Sequence, residues 1–275
     1  MQTLKPKRGT ILNTANPLSY GLIACWLMNE KSIDKVYDLS KYQNHLTAYN
    51  TPTIENGRFG YSVNFDDAAS EYLQIDLPIV LMPFTVVAWV CSNDDTINQC
   101  IFSMADTLTD LEIFYFALYG GAAGDYVWVL SQDGGGWRYA ISTRSFVQNK
   151  WHQVAAVFKN TTWRAVYVDG ADEQINEDYS NPDPSKLDTT SVGRLSRLNP
   201  TAYFSGKIDH EMVWNRALSA EEIAHLYREP FCMFREKTSP AWQAVAPPAE
   251  ITGVFGSLSS ELWWIKQKKG MFAQV

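Results

Sequence analysis

The stretch from Gly206 to Phe231, GKIDHEMVWNRALSAEEIAHLYREPF, carries two hydrophobic periods, one after the other. Its first half alternates with period two, which predicts a β-strand. The predicted strand places on one face Ile208, Met212 and Trp214, and on the other Asp209, Glu211 and Val213.

The second half of the same stretch predicts a short helix. Ser219 is a good N-cap, and Glu222 three residues later completes a capping box. Pro230 cannot continue a helix, so the helix is expected to end there. Its apolar stripe, with spacing i, i+3 and i+4, consists of Ile223, Leu226 and Tyr227.

Together the two halves resemble the C-terminal signature of the laminin-G-like branch of the concanavalin A-like superfamily, of the type found in phage and environmental sequences. That signature reads G-x-I-D-x-V-x-[VI]-W/Y-N-R-A-L-S followed by E-E-I-x-x-L-Y. The positions met here are Gly206, Ile208, Asp209, Trp214, Asn215, Arg216, Ala217, Leu218, Ser219, Glu222, Ile223, Leu226 and Tyr227. The resemblance implies an all-β fold, a two-sheet antiparallel jelly-roll sandwich with one short C-terminal helix.

Earlier landmarks of the same family follow in the expected order. They lie in residues 21–30, 38–46, 60–75, 84–90, 151–170 and 191–194, so the resemblance spans residues 20–230. We therefore predict three parts: an N-terminal arm over residues 1–19, a sandwich over residues 20–235, and a Pro/Ala linker with an amphipathic tail over residues 236–275. The basic arm either docks on an acidic partner or is a solvated terminus.

Composition and charge narrow the possible partners. The formal net charge is −7 and the pI about 5.1, which argues against nucleic acid because phosphate binding needs a basic face. No segment has the length of a transmembrane helix, and the first residues lack an apolar export signal. We expect a protein made in the cytoplasm, with no membrane partner. Cys91 and Cys100 allow a disulfide, although a reduced pair fits better.

Alternating aromatic residues mark three consecutive strands at Ile113–Tyr119, Tyr126–Leu130 and Trp137–Ile141. One aromatic set must pack in the core, and the other offers a platform on which sugar C–H faces stack. The candidate carbohydrate-binding residues are Tyr115, Tyr119, Trp128, Trp137 and Tyr139. The alternative is that most of them serve packing, with two or three exposed.

A calcium ion is the one cofactor that the resemblance implies. Such sandwiches often carry one ion held by carboxylates and loop carbonyls. The candidate ligands at matching positions are Asp38, Asp66 and Asp209. The competing interpretation is that Asp209 accepts backbone hydrogen bonds in a turn.

Paired carboxylates of the glycosidase type are not found on the expected strand. The pattern E-x-D-x-x-E is absent, and so are the lyase patterns R-x-E-L and Q-I-H. Asp209 and Glu211 resemble such a pair only superficially, because they belong to the closing strand. The sequence thus predicts no enzyme.

The C-terminal tail combines large apolar residues with a flexible linker, and soluble monomers avoid such exposed apolar surface. We expect the tail to contact other protein subunits, in a homo-oligomer or on a scaffold, through Leu262, Trp263, Trp264, Ile265 and Phe272. The sequence therefore suggests a non-catalytic structural or adhesion protein of a virion, either a decoration or a fibre component, with surface glycans as a further partner. The alternatives are a free carbohydrate-binding module or lectin, and a polysaccharide hydrolase or lyase.

Overall fold

The computed structural model describes residues 4–7, 10–121 and 124–235. The predicted linker and tail, with all five predicted assembly residues, lie outside the described residues. Within the described part, no helix has the length and apolar character needed to cross a membrane.

Over the described residues the chain folds into strands joined by turns and loops, with a 3-10 turn at Pro17–Ser19 and one α-helix, α1, at Ala220–Arg228. The strands are β1 (Ile11–Leu12), β2 (Leu22–Trp26), β3 (Lys35–Val36), β4 (Leu46–Tyr49), β5 (Thr53–Asn56), β6 (Tyr61–Phe65), β7 (Tyr72–Ile75), β8 (Phe84–Ser92), β9 (Asn98–Ala105), β10 (Glu112–Tyr119), β11 (Tyr126–Asp133), β12 (Trp137–Ile141), β13 (His152–Asn160), β14 (Trp163–Val168), β15 (Ala171–Asn176), β16 (Thr189–Val192), β17 (Gly206–Trp214) and β18 (Phe234–Arg235).

Two antiparallel sheets of eight strands form the sandwich. The front sheet has the order β12-β11-β10-β9-β16-β7-β4-β3. The back sheet has the order β15-β14-β13-β8-β17-β6-β5, and β2 pairs with the part of β17 that β6 leaves free. The predicted two-sheet antiparallel sandwich with one short C-terminal helix is thereby confirmed.

The main core lies between the two sheets. It takes alternate residues of both sheets, for example Phe114 and Phe116 of the front sheet and Val86 and Ala88 of the back sheet. All nine residues of β8 are buried, because its inner face meets the front sheet and its outer face is covered as well. The core therefore explains the near-continuous apolar run from Phe84 to Val90.

A second apolar layer covers the outer face of the back sheet. Helix α1 buries Ile223 and Leu226 there, against Trp89, Met212 and neighbouring residues. The predicted capping box is present, since the Ser219 side chain accepts from the Glu222 N–H and the Glu222 side chain accepts from the Ser219 N–H. The outer face of the front sheet is left free of any helix in the described part of the chain.

A β-bulge in β17 changes the faces that alternation alone predicts. The register of β17 against β8 shifts between Ile208 and His210. As a result Ile208 packs in the inner core, whereas Met212 and Trp214 pack in the outer layer, so the prediction that they share one face was wrong. Asp209 is the extra residue, and it turns its carboxylate to the outer layer, where it accepts from the Phe59 N–H.

The described part of the predicted N-terminal arm lies on the sandwich. Strand β1 pairs with β18, with Leu12 opposite Phe234. Leu18 is buried in the outer layer, and its carbonyl accepts the indole N–H of Trp214 at 2.7 Å. Residues 10–19 are thus folded, because their leucines help to cover the back sheet.

Candidate functional site

The five predicted carbohydrate-binding residues all lie on the outer face of the front sheet. On β10 the outward side chains alternate with Phe114 and Phe116, which point into the core. Strand pairing sets Tyr115 opposite Leu130, and Leu130 opposite Tyr139. Register therefore places the aromatic residues of three strands side by side on one surface.

Three of these rings form a stacked ladder across the strands. The ring centroids of Tyr119 and Trp128 are 4.0 Å apart with an interplanar angle of 9°, and those of Trp128 and Tyr139 are 5.0 Å apart at 6°. The residue directly opposite Trp128 on β10 is Ala117, so the rings of Tyr119 and Tyr139 contact Trp128 from diagonal positions. Trp128 is therefore the middle ring of the ladder.

The degree of exposure differs along this surface. Tyr115 is buried, and burial raises the pKa of its phenol well above the ordinary value. Tyr119 and Trp128 are half-buried, while Trp137 is 50% and Tyr139 42% exposed. Tyr115 thus belongs to the floor of the surface, and the rings of β12 face solvent.

Beside the ladder lies a cleft of about 300 Å³. Its aromatic wall includes four of the predicted residues, namely Tyr115, Tyr119, Trp128 and Trp137. The opposite wall comes from the loop that follows β16, through Leu195, Arg197, Thr201 and Ala202. Asn98 of β9 adds a polar side chain.

The loop that forms the opposite wall is held by its own backbone. Leu195 and Thr201 exchange two N–H···O bonds, of 3.0 and 3.2 Å. The Ser103 hydroxyl on β9 donates to the carbonyl of Arg194 at 2.8 Å. Arg194 also lies over the Tyr72 ring, 3.5 Å from its centroid. These contacts fix the loop against the front sheet.

Arg197 is the main charged group at the cleft. Its Nε lies 3.4 Å from Asp110 Oδ1 and donates to the carbonyl of Asn199 at 3.2 Å. Hydrogen bonds from the Asn199 backbone and side chain, with the Arg197 charge, hold the pKa of Asp110 below its ordinary value. The guanidinium is therefore held in place, with donors left over for a ligand.

Trp128, which lines the cleft, carries an indole N–H that is buried beneath it. The Nε1 atom is buried and has no hydrogen-bond acceptor among the described residues. A buried donor without an acceptor is costly, and such groups often mark a binding site. The sequence predicted the aromatic rings, but it carried no pattern that indicated Arg197 and Thr201, because a loop distant in the chain supplies them, or Asn98, which β9 supplies.

The predicted calcium ligand Asp38 is engaged by hydrogen bonds from the protein. Its Oδ1 accepts from the N–H groups of Cys25 and Ser40, at 2.8 and 2.7 Å. Its Oδ2 accepts from the Ser40 hydroxyl and the Asn44 N–H, at 2.6 and 2.8 Å. This set of donors suits a carboxylate that organises a turn rather than one that binds a cation.

The other two candidates are also engaged by the protein. Asp66 accepts from the Ala68 N–H in a local turn. Asp209 forms an ion pair with Lys5, with 3.0 Å between Oδ1 and Nζ. Across residues 4–7, 10–121 and 124–235, no three His, Cys, Asp or Glu side chains converge as a cation site. Calcium therefore stays a prediction, and the residues present do not fit it.

The acidic groups of the closing strand are buried within the protein. Asp209 and His210 are in contact, with 2.9 Å between Oδ1 and Nδ1, and both are inaccessible to solvent. Glu211 faces the inner core next to Val213, which is a core residue. Glu112 is bound by Lys186 at 3.0 Å. A polymeric substrate does not reach Asp209 or Glu211 in this structure.

The sandwich resembles carbohydrate-related domains of known structure. Domain 4 of AbnA, a GH43 extracellular arabinanase from Geobacillus stearothermophilus, in complex with arabinotriose, has a TM-score of 0.62 at 15% identity, over 75% of this chain and 98% of that one. The binding domain of botulinum neurotoxin DC in complex with SialylT has a TM-score of 0.57 at 10% identity, over 77% of this chain and 52% of that one. At these identities the likeness concerns the fold alone.

No curated protein sequence matches the chain. A laminin-G-type family model does match, over residues 67–224, which is more than half of the chain. The match includes the aromatic strands, the loop after β16, the closing strand and most of helix α1. The chain belongs to the concanavalin A-like lectin/glucanase superfamily.

Proposed function

We propose that the sandwich binds carbohydrate at the cleft on the outer face of its front sheet. The observation that carries this proposal is the ladder of Tyr119, Trp128 and Tyr139 beside a cleft of about 300 Å³. Ligand sites combine apolar aromatic walls with a few fixed polar groups, and this cleft has both.

The ladder itself suggests how a sugar would bind. Trp128 is covered on both faces by its neighbours, so the uncovered ring surface belongs to Tyr119, Tyr139 and the exposed Trp137. Sugar C–H faces would stack on these rings. Arg197 would donate to sugar hydroxyls from the opposite wall, and Asn98 would do so from β9.

The similar structures support the proposal by fold. Domain 4 of the arabinanase was solved with arabinotriose, so this type of sandwich is compatible with an oligosaccharide ligand. Because identity is 15%, the ligand of that domain does not transfer to this chain by itself. The argument rests on the aromatic cleft of the chain itself.

We further propose that the domain does not cleave the sugar it binds. The support is the burial of Glu211 and Asp209, and the ion pair that engages Glu112. Release of reducing ends from glucans, alginates and ulvans is the direct test, and we expect none. Turnover that disappears in Glu112→Gln or Glu211→Gln would contradict the non-catalytic proposal.

The finer form of the proposal is a structural or adhesion protein of a larger assembly, a virion decoration or fibre component attached through its tail. Its support is the apolar sequence of residues 262–265 and 272. A free carbohydrate-binding module is the alternative. Two measurements distinguish the virion component from the free module. One is mass spectrometry of purified particles, and the other is the particle incorporation of a chain truncated after residue 235.

A glycan array with the full-length chain tests the binding proposal first. We expect a defined group of glycans to be retained, and retention to fall when Trp137, half exposed in the cleft wall, is replaced by alanine. An array on which the chain retains no glycan, at concentrations at which known modules score, would contradict the proposal.

A further inference from the structure

A second cavity lies on another part of the molecule, at the side where the N-terminal segment crosses the end of β2. Its volume is about 220 Å³. The apolar walls are Leu27, Leu39 and the ring of Tyr37, and Lys7 lines it from the N-terminal segment. Tyr37 is 53% exposed and has its ring edge-on to His45, at 5.2 Å between centroids. None of these residues belongs to the aromatic cleft.

Glu30 is among the residues that line this cavity. Its side chain is 93% buried, since its relative exposure is 7%. The Oε1 atom accepts the backbone N–H of Tyr37 at 3.0 Å. The Oε2 atom is buried and has no hydrogen-bond partner among the described residues. One oxygen is thus used by the fold, and the other is left without a donor.

The nearest positive charges do not pair with Glu30. Burial lowers the pKa of Lys5, and the charges of Asp209 and Glu30 oppose that shift, but the ammonium forms its ion pair with Asp209, at 3.0 Å. Lys7 lines the cavity without an ion pair to any carboxylate of the described residues. A buried carboxylate oxygen without a donor is costly to maintain, and a ligand that supplies one removes that cost.

We propose that this cavity binds a primary alkylammonium group, with Glu30 Oε2 as the acceptor of its N–H bonds. An ammonium carries three donors and no acceptor, which matches an acceptor-only carboxylate. The apolar walls fit the methylene stem, and the face of Tyr37 adds attraction for the cation. The same chemistry is carried by a free amine and by the side chain of a lysine in a polypeptide.

Isothermal titration of the full-length chain with n-butylammonium tests the proposal. A second titration with the peptide acetyl-Gly-Lys-Gly-amide distinguishes the two sources, and n-butanol controls for the apolar stem alone. Glu30→Gln keeps the Oε1 acceptor for the Tyr37 N–H and removes only the charge. Glu177→Gln, an exposed position after β15, is the matched control for loss of one negative charge.

We expect the wild type and Glu177→Gln to bind n-butylammonium equally, and Glu30→Gln to bind at least about tenfold more weakly. Tyr37→Leu, on the exposed wall, should also weaken binding, and n-butanol should not compete. Binding of the lysine peptide would assign the site to a polypeptide partner, and binding of the free amine alone would assign it to a small molecule.

Two results would overturn the proposal: no binding of either ammonium probe to the wild type, or equal binding by wild type and Glu30→Gln. Thermal unfolding of each variant confirms that it is folded. If Glu30→Gln does not fold, Tyr37→Leu provides the test. Affinity for n-butylammonium equal to wild type in Tyr37→Leu would then overturn the proposed site. None of these outcomes depends on carbohydrate binding.

Discussion

The ammonium of Lys5 lies 3.0 Å from the carboxylate Oδ1 of Asp209, and the two side chains are 5% and 0% exposed. The same ammonium donates to the carbonyls of Tyr61 and Asp209. The ammonium is thus surrounded by one carboxylate and two carbonyl oxygens, which are the ligand types that a calcium ion prefers. In this protein a lysine from the N-terminal segment supplies the positive charge and attaches that segment to the closing strand.

Lys5→Met should destabilise the sandwich by about 3–5 kcal/mol, because it leaves the Asp209 carboxylate buried without its cation. Chemical denaturation of the full chain measures the free energy of unfolding. Lys7→Met, an exposed position two residues away, is the matched control and should be near neutral. A Lys5→Met chain as stable as the wild type would show that the ion pair contributes nothing to the fold.

Glu211 should make stability fall as the pH rises. Burial raises the pKa of Glu211 well above its ordinary value of 4.5, and neither oxygen has a partner among the described residues. A raised folded-state pKa gives stability that is present below the unfolded-state pKa and is lost as the pH rises towards the folded-state pKa.

Glu211→Gln should therefore be more stable than the wild type at pH 7, by about 1.4 kcal/mol for each pH unit between the unfolded-state pKa and the lower of pH 7 and the folded-state pKa. The difference should shrink towards pH 4. Unfolding free energies of both chains between pH 4 and pH 8 measure it. A difference between the two chains that stays constant over this range would mean that Glu211 does not titrate differently in the folded state.

Asp38→Asn should destabilise the fold by about 2–3 kcal/mol, because an amide oxygen replaces only one of two carboxylate oxygens and its NH₂ faces donors. We expect this loss to be the same with and without excess chelator, since the partners of Asp38 are protein groups. A chelator that lowers the melting temperature of the wild type, but not of Asp38→Asn, would instead support the calcium prediction.

The sequence carried most of the information for the fold. The capping box at Ser219 and Glu222 was predicted correctly, because its donors and acceptors are local in the chain. The alternation of β10 also predicted that one aromatic set is core, and the structure shows that this set is Phe114 and Phe116. The bulge at Asp209 was missed, since an extra residue depends on the register with β8 and not on the alternation of β17 itself.

The sequence predicted the aromatic part of the candidate site but not its opposite wall. The aromatic residues of β10, β11 and β12 alternate along their strands with period two, and the structure brings them to one face. The wall with Arg197 and Thr201 comes from a loop fixed by Ser103, a contact across 91 residues. Long-range contacts of this kind leave no local pattern in the sequence. The ion pair between Lys5 and Asp209 is a second example.

The central claim is that the aromatic surface of the front sheet binds carbohydrate. Titration calorimetry with the best glycan from the array, on the wild type, Trp137→Ala, Tyr139→Ala and the control Tyr20→Ala, tests it most directly. Tyr20 is 78% exposed and does not line the cleft, so its loss matches the loss of ring area without touching the site. We predict that Trp137→Ala and Tyr139→Ala each lose about tenfold or more in affinity, with Tyr20→Ala unchanged. Wild-type affinity in both Trp137→Ala and Tyr139→Ala, with each still folded, would contradict the assignment of the site to the aromatic surface.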